Sequence, residues 1–315
     1  MTARAAPRSA APGTAPRWLG YAVIAAAACS WGTWGLVIRG ADCAGPLDAR
    51  LDSALVMVVI TLVAFALLAL ERARGPRARQ RPGPREWLGV AWLGLADAMN
   101  VVLLFAAYRA TSLSIAVTTH YLAPLFVALA SPFALRERGH PRTYLAVGVG
   151  LAGLLLLLRP WNEQLARSDL FGAACGAASA LFYASNVLVN KRLYHAFTAI
   201  ELMAFHGVIA APLLIALVPH GAWGALHLRS ALVLAGGAIG PGALGGVMFV
   251  WALRTVPAAH ASTLTLLEPL VTVIVAVVLV GEQLAWVSWL GAALILVGAA
   301  SVLDAPKSAR SLGSV

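Results

Sequence analysis

Charged side chains are scarce in this chain. They make up 11% of its 315 residues, against about 25% in a soluble domain. A surface facing water on every side cannot be built from that supply, which excludes an ordinary soluble enzyme or binding module. Lysine is nearly absent, occurring only as Lys191 and Lys307. Arginine carries the rest of the positive charge, and with heavy alanine and glycine usage this fits a GC-rich bacterial genome. Cysteine is scarce too. Cys29 and Cys175 lie inside apolar runs and only Cys43 lies in a connection, so neither a disulfide framework nor a metal site is expected. The alternating ten-residue segments of a membrane β-barrel are missing. So is any connection large enough for a soluble domain. No ATP-binding motif occurs, so work done by the chain must draw on gradients. Gly148-Val-Gly150-Leu-Ala-Gly153 matches a dinucleotide-binding pattern by letters, but no strand precedes it and helix packing is the better reading. No cofactor is expected.

What is present is apolar sequence, 60% of all residues, in runs of about twenty that can each cross a bilayer core about 30 Å thick. Ten spans fit, at roughly 18–38, 52–70, 87–108, 112–135, 142–158, 168–190, 198–218, 230–252, 258–280 and 284–303, with the usual uncertainty of a few residues at each end. The fold class is therefore an all-α polytopic membrane protein with ten transmembrane helices. Residues 1–17 form an Ala/Pro/Arg-rich tail expected to be disordered, and 304–315 a C-terminal tail. The first run has features of a signal peptide, yet its apolar character continues to Ile38, which reads as a retained helix.

The net charge of +10 would suggest nucleic acid if the basic residues formed a face. They fall instead between the apolar runs, where they act as topology signals, and no nucleic-acid partner is expected. With the N-terminus in the cytoplasm, seventeen of the 23 basic residues lie inside and six outside. That asymmetry predicts N- and C-termini in the cytoplasm of a bacterial inner (plasma) membrane.

One stretch occurs twice, from Ala107 to Gly153 and from Ala252 to Gly298, at a fixed offset of 145. In that register Arg109 meets Arg254, Pro124 meets Pro269, Glu137 meets Glu282, and Gly153 meets Gly298. Long internal repeats constrain architecture more than local motifs do. Five spans per repeat is an odd number, so the second copy enters the membrane from the opposite side. The expected organisation is two inverted five-helix repeats, 18–160 and 168–303, an arrangement typical of secondary transporters.

With its paired Leu-x-Pro…Glu…Gly segments (Leu122 to Gly153, Leu267 to Gly298), Trp31-Gly32 in the first span, and Arg39 and Lys191 closing the first and sixth, the chain resembles the drug/metabolite transporter superfamily. Within it, the likeness is to EamA-type ten-helix transporters. The resemblance implies a central cavity lined by helices 1, 3, 4, 6, 8 and 9. It also implies a transported metabolite, since members include exporters of amino acids.

Candidate substrate-binding residues follow from polar and aromatic groups at mid-span. Asp97 is the sharpest, because a carboxylate at the centre of a span costs about 2.5–3.5 kcal/mol on insertion scales and needs a cavity or a partner. Asn100 shares its helix face. Glu268, just before Pro269, breaks the internal symmetry, its counterpart being Ala123. Asp97 and Glu268 are also the proton-coupling candidates. His120 titrates near neutral pH when exposed, and Tyr121 follows it. Aligning Arg39 with Lys191 at an offset of 152 brings Trp31 onto Tyr183 and Trp34 onto Asn186, an aromatic and amide wall suited to a small amphipathic compound. His206 and His260 read as structural or interfacial. Pro124, Pro241 and Pro269 are expected to bend their helices, and the glycine-rich stretch around Pro241 to unwind locally. Glu137 and Glu282 sit at helix ends as landmarks.

These features predict a secondary transporter that moves a small metabolite by alternating access, with export of amino acids or related amphipathic compounds leading and proton coupling as an option. A lipid translocator, or efflux of drugs or organic cations, are the alternatives on the same fold. Its partners would be a small-molecule substrate, the bilayer and, if coupled, protons. An enzyme is not expected, because the acidic and His residues are dispersed along the spans.

Overall fold

The computed structural model describes residues 16–42, 45–75, 81–162, 167–280 and 283–303. Both tails, Cys43 and Glu282 lie outside these residues. Among the described residues ten helices are long and apolar enough to cross a membrane. They are α1 (Arg17–Ala41), α2 (Ala49–Ala73), α3 (Pro84–Ala110), α4 (Leu113–Ala134), α5 (Pro141–Leu158), α6 (Arg167–Leu193), α7 (Ala199–Ala216), α8 (Leu228–Ala252), α9 (Ala258–Leu279) and α10 (Trp286–Leu303). Their starts follow local chemistry. Asp48 caps α2 through the Arg50 amide, Ser112 caps α4, and Thr198 with Glu201 closes a capping box on α7. Each satisfies amide donors that the first turn leaves open.

Several helices are not continuous. α4 turns at Tyr121-Leu122 and α9 at Thr265-Leu266, just ahead of Pro124 and Pro269. Each proline lacks the N–H that would bond four residues back, and the chain uses shorter bonds instead, such as the Glu268 amide to the Thr265 carbonyl at 2.9 Å. α8 passes through a π-helical segment, Ala238–Leu244, around Pro241. The Trp31 indole donates to the Pro241 carbonyl at 2.8 Å, meeting part of the demand that such a segment creates. Sequence periodicity suggested an unbroken first span, but α1 turns at Gly32-Thr33. There it rests on the break of α9. A side chain at Gly32 would sit 2.7 Å from the Glu268 carbonyl, and Thr272 donates to the Gly32 carbonyl.

The repeat appears as physical symmetry. α5 and α10 run antiparallel along a seam of small residues. A Cβ at Gly153 would lie 2.7 Å from the Gly291 carbonyl, and one at Gly298 would lie 2.9 Å from the Ala146 carbonyl. At the 145 offset these are one contact seen twice, as an in-plane pseudo-two-fold axis requires. Gly20 against Val256 is likewise mirrored by Gly172 against Thr111. Such close approach is how helices associate where lipid removes the hydrophobic drive. The central core joins the halves through Ile24, Leu93, Val127, Phe197, Leu202, Phe249 and Val256, all nearly fully buried.

Candidate functional site

A cavity of about 220 Å³ lies where α1, α2, α3, α6, α7 and α8 converge. Trp31, Trp34, Tyr183 and Phe249 supply aromatic walls, and Met57 and Met203 supply flexible apolar ones. Asp97 and His206 enter it from α3 and α7. His206 Nε2 stands 3.6 Å from Asp97 Oδ2. His206 Nδ1 is 2.7 Å from the Leu202 carbonyl, an acceptor only, so Nδ1 carries a hydrogen. Nε2 is then a bare lone pair facing a carboxylate unless a proton lies between them. The pair therefore holds one proton, most simply as imidazolium and carboxylate. Asn186 Nδ2 is 3.4 Å from Asp97 Oδ1, and the Asn186 carbonyl oxygen is buried without a partner.

Trp31, Trp34, Asp97, Tyr183 and Asn186 thus share one cavity. The other candidates lie elsewhere. Asn100 is buried away from the cavity wall, its Oδ1 unpartnered. His120 Nδ1 meets the Ser179 hydroxyl at 2.6 Å, and its ring sits edge-on to those of Tyr121 and Tyr183. Glu268 accepts a hydrogen bond from Tyr121. Tyr183 feels the charge of both Glu268 and Asp97, so it divides the two acidic positions. Helices 4 and 9, which the resemblance assigned to the cavity wall, are replaced there by α2 and α7. The cause is the packing of their broken segments onto the α5–α10 seam, where Tyr121, Leu266 and Leu270 pack with Leu154, Leu157 and Ile295.

Two histidines separate on geometry. His260 is bonded at both nitrogens, by Tyr21 at 2.7 Å and Thr143 at 3.0 Å, and ties α1, α5 and α9 together. His206 has only one nitrogen so bonded and was undervalued by the sequence. A lone histidine in an apolar helix carries no signal until the helix opposite is known. Among the described residues no group of His, Cys, Asp and Glu is placed to hold a metal.

A second polar knot lies at one end of the bundle. Lys191 Nζ is 2.9 Å from Glu137 Oε1 and donates to the carbonyls of Leu253, at 2.9 Å, and Val256. Glu137 accepts from the Ala258 amide at 3.0 Å. One cation thus caps the end of α8 while its carboxylate partner caps the start of α9.

The model of the EamA-like transporter family matches residues 18–159 and again 170–303. The chain belongs to that family. Among relatives of this EamA-type protein is an uncharacterized transporter of Archaeoglobus fulgidus, 31% identical over 209 residues, or 65% of this chain and 73% of the relative. An uncharacterized transporter of Clostridium kluyveri is 24% identical over 70% of this chain and 73% of its own length. The uncharacterized transporter YxxF of Bacillus subtilis is 26% identical over 73% and 74%. A solved crystal structure shares the fold with a TM-score of 0.75 at 21% identity, covering 90% of this chain and 98% of the other. The EamA-type protein is accordingly a multi-pass membrane transporter built of ten helices in a duplicated, inverted arrangement.

Proposed function

We propose that this transporter exports a small metabolite carrying an amine across a bacterial inner membrane by alternating access, with amino acids or related amphipathic compounds as the class. The observation that carries the reading is a carboxylate, Asp97, set among Trp31, Trp34, Tyr183 and Phe249 in a cavity between helices of both repeats. The repeats, at 18–160 and 168–303, are the units that exchange conformations. Both termini face the cytoplasm, as the arginine asymmetry favours. Proton coupling would run through Asp97 or Glu268, the acidic groups at mid-span.

The test is transport in proteoliposomes with labelled amino acids, organic cations and sugar phosphates, with and without an imposed pH gradient. Saturable amino-acid flux enhanced by the gradient supports export coupled to protons. Gradient-insensitive flux supports exchange or facilitated diffusion. Saturable flux of sugar phosphates alone would sink the amine reading.

A second reading has its own observation. A cleft of about 680 Å³ lies between α1, α9 and α10, lined by Leu264, Leu267, Leu296 and Leu303 with Arg17 and Trp18 among its wall residues. That chemistry suits an acyl chain beneath an anionic headgroup. Movement of a fluorescent phospholipid between leaflets, with no flux of any soluble compound, would put lipid translocation first.

A further inference from the structure

We propose that Asp97 and His206 together form a receptor for a zwitterion, with Asp97 taking the ammonium and His206, as imidazolium, taking the carboxylate. The inference rests on the transporter reading above and sharpens its substrate class from amine-bearing compounds to those that carry both charges. It separates amino acids from organic cations, which an acidic cavity alone would accept equally.

The first support is the charge inventory. Besides the Tyr183 phenol, Asp97 and His206 are the only ionisable side chains that line the cavity, with no arginine, lysine or second carboxylate. Glu268 acts on the far side of Tyr183, with Tyr121. The second is the proton inventory. Hydrogen bonding of Nδ1 to the Leu202 carbonyl leaves Nε2 aimed at Asp97, so a protonated His206 presents an N–H donor into the cavity. The third is the looseness of the pair. At 3.6 Å it lies beyond a good charge-assisted hydrogen bond, which is about 2.7–2.9 Å, so parting the two groups gives up little direct bonding.

Charge balance then selects the ligand. A plain cation entering beside Asp97 leaves imidazolium and ammonium against one carboxylate. A plain anion beside His206 leaves two negative groups against one cation. Both leave an uncompensated charge where little water screens it. A zwitterion inserts between the two groups and leaves every charge paired. The unpartnered Asn186 oxygen, beside Asp97, offers the ammonium a further acceptor. The aromatic walls and the two methionines receive the apolar side chain, so an aromatic amino acid is a fitting probe.

The experiment is counterflow of labelled L-phenylalanine in proteoliposomes, competed by unlabelled L-phenylalanine, phenethylamine and 3-phenylpropionate. Phenylalanine should compete at least about tenfold more strongly than either single-headed analogue, because each leaves a buried charge unpaired. His206→Gln should collapse its advantage over phenethylamine, and Asp97→Asn its advantage over phenylpropionate. Each ratio is read within one protein preparation, so it does not depend on how much of a variant folds. An analogue that competes as well as phenylalanine on the unaltered protein overturns the proposal, as do ratios unchanged in both variants. Flux of organic cations or sugar phosphates without phenylalanine flux overturns it while leaving the transporter reading standing. Absence of flux for every compound removes both. If neither variant reaches the membrane, the order of competition on the unaltered protein decides alone.

Discussion

At Asp97 and Glu268 the same side-chain type meets two different surroundings. Asp97 opens into the cavity beside His206, whereas Glu268 is held by Tyr121 against the breaks of α4 and α9. Asp97→Asn, nearly isosteric, is expected to lower the initial rate of substrate flux per folded protein by about tenfold or more, the scale for losing a charge that binds substrate. A rate within a factor of two of the unaltered protein would remove Asp97 from the site. Glu268→Gln is expected to leave KM within about threefold, because a group that does not touch substrate changes uniform binding little. If Glu268 carries the coupling proton, the same variant abolishes stimulation by a pH gradient. If stimulation survives, Glu268 is structural. Outside the membrane, Asp48 shows the sign of a different effect. The Arg50 side chain beside it holds its carboxyl down at about 2, and the same carboxylate caps α2. A depressed folded pKa means stability that is present at neutral pH and lost as pH falls from about 4 toward 2. Asp48→Ala should therefore destabilise by about 1 kcal/mol at neutral pH, the usual cost of a lost cap. In detergent melts the difference from the unaltered protein should shrink below pH 4, and a gap constant down to pH 2 would refute the ionic contribution.

Among the elements, the α5–α10 pair was the most legible in sequence. Gly153 and Gly298 align in the repeat, and close helix approach demands residues without side chains. Which residues they would touch was not legible, because repeat register fixes equivalence and not contact. The structure pairs Gly153 with Gly291 and Gly298 with Gly150 and Ala146. Gly148 in the same helix faces open space. Gly153→Leu should thus overpack the seam and cost about 1–3 kcal/mol, seen as a lower melting temperature in detergent and less monodisperse protein. Gly148→Leu should leave both unchanged, and equal effects at the two positions would mean that the helices do not meet on this face. The breaks in α4 and α9 were foreshadowed by their prolines, since a missing donor is a property of one residue. The turn of α1 at Gly32-Thr33 was not, because its cause lies in α9: Thr272 bonds the Gly32 carbonyl and Val271 crowds the glycine.

Across the whole molecule, hydropathy and charge reveal the number of spans and the repeat reveals their inversion, but neither says which end of the bundle is closed. Lys191 illustrates the gap. In sequence it is one basic residue ending an apolar run and matched to Arg39. In space it binds Glu137 and the Leu253 and Val256 carbonyls, so three connected elements meet on one ammonium that is mostly shielded from water. Removing the cation leaves Glu137 and two carbonyls unpaired at a partly buried site, where breaking such a pair by deleting one partner is costly. Under the inverted symmetry the carbonyls of Tyr108 and Thr111 hold the equivalent place at the other end, so the two ends can exchange this role as the repeats exchange conformation. Lys191→Met should accordingly loosen the α8–α9 turn and favour the conformation open at that end. The measure is the rate at which an impermeant maleimide reacts with a cysteine placed at Val256, fully buried as the molecule stands, after replacing the three native cysteines. Labelling should accelerate by about tenfold or more in Lys191→Met, since a tenfold change corresponds to a shift of about 1.4 kcal/mol between the two conformations. Acceleration only from the cytoplasmic side of oriented vesicles would also fix the topology that the arginines favour. An unchanged rate from both sides would mean that the apolar packing of Val256 against Gly20 keeps this end shut without Lys191.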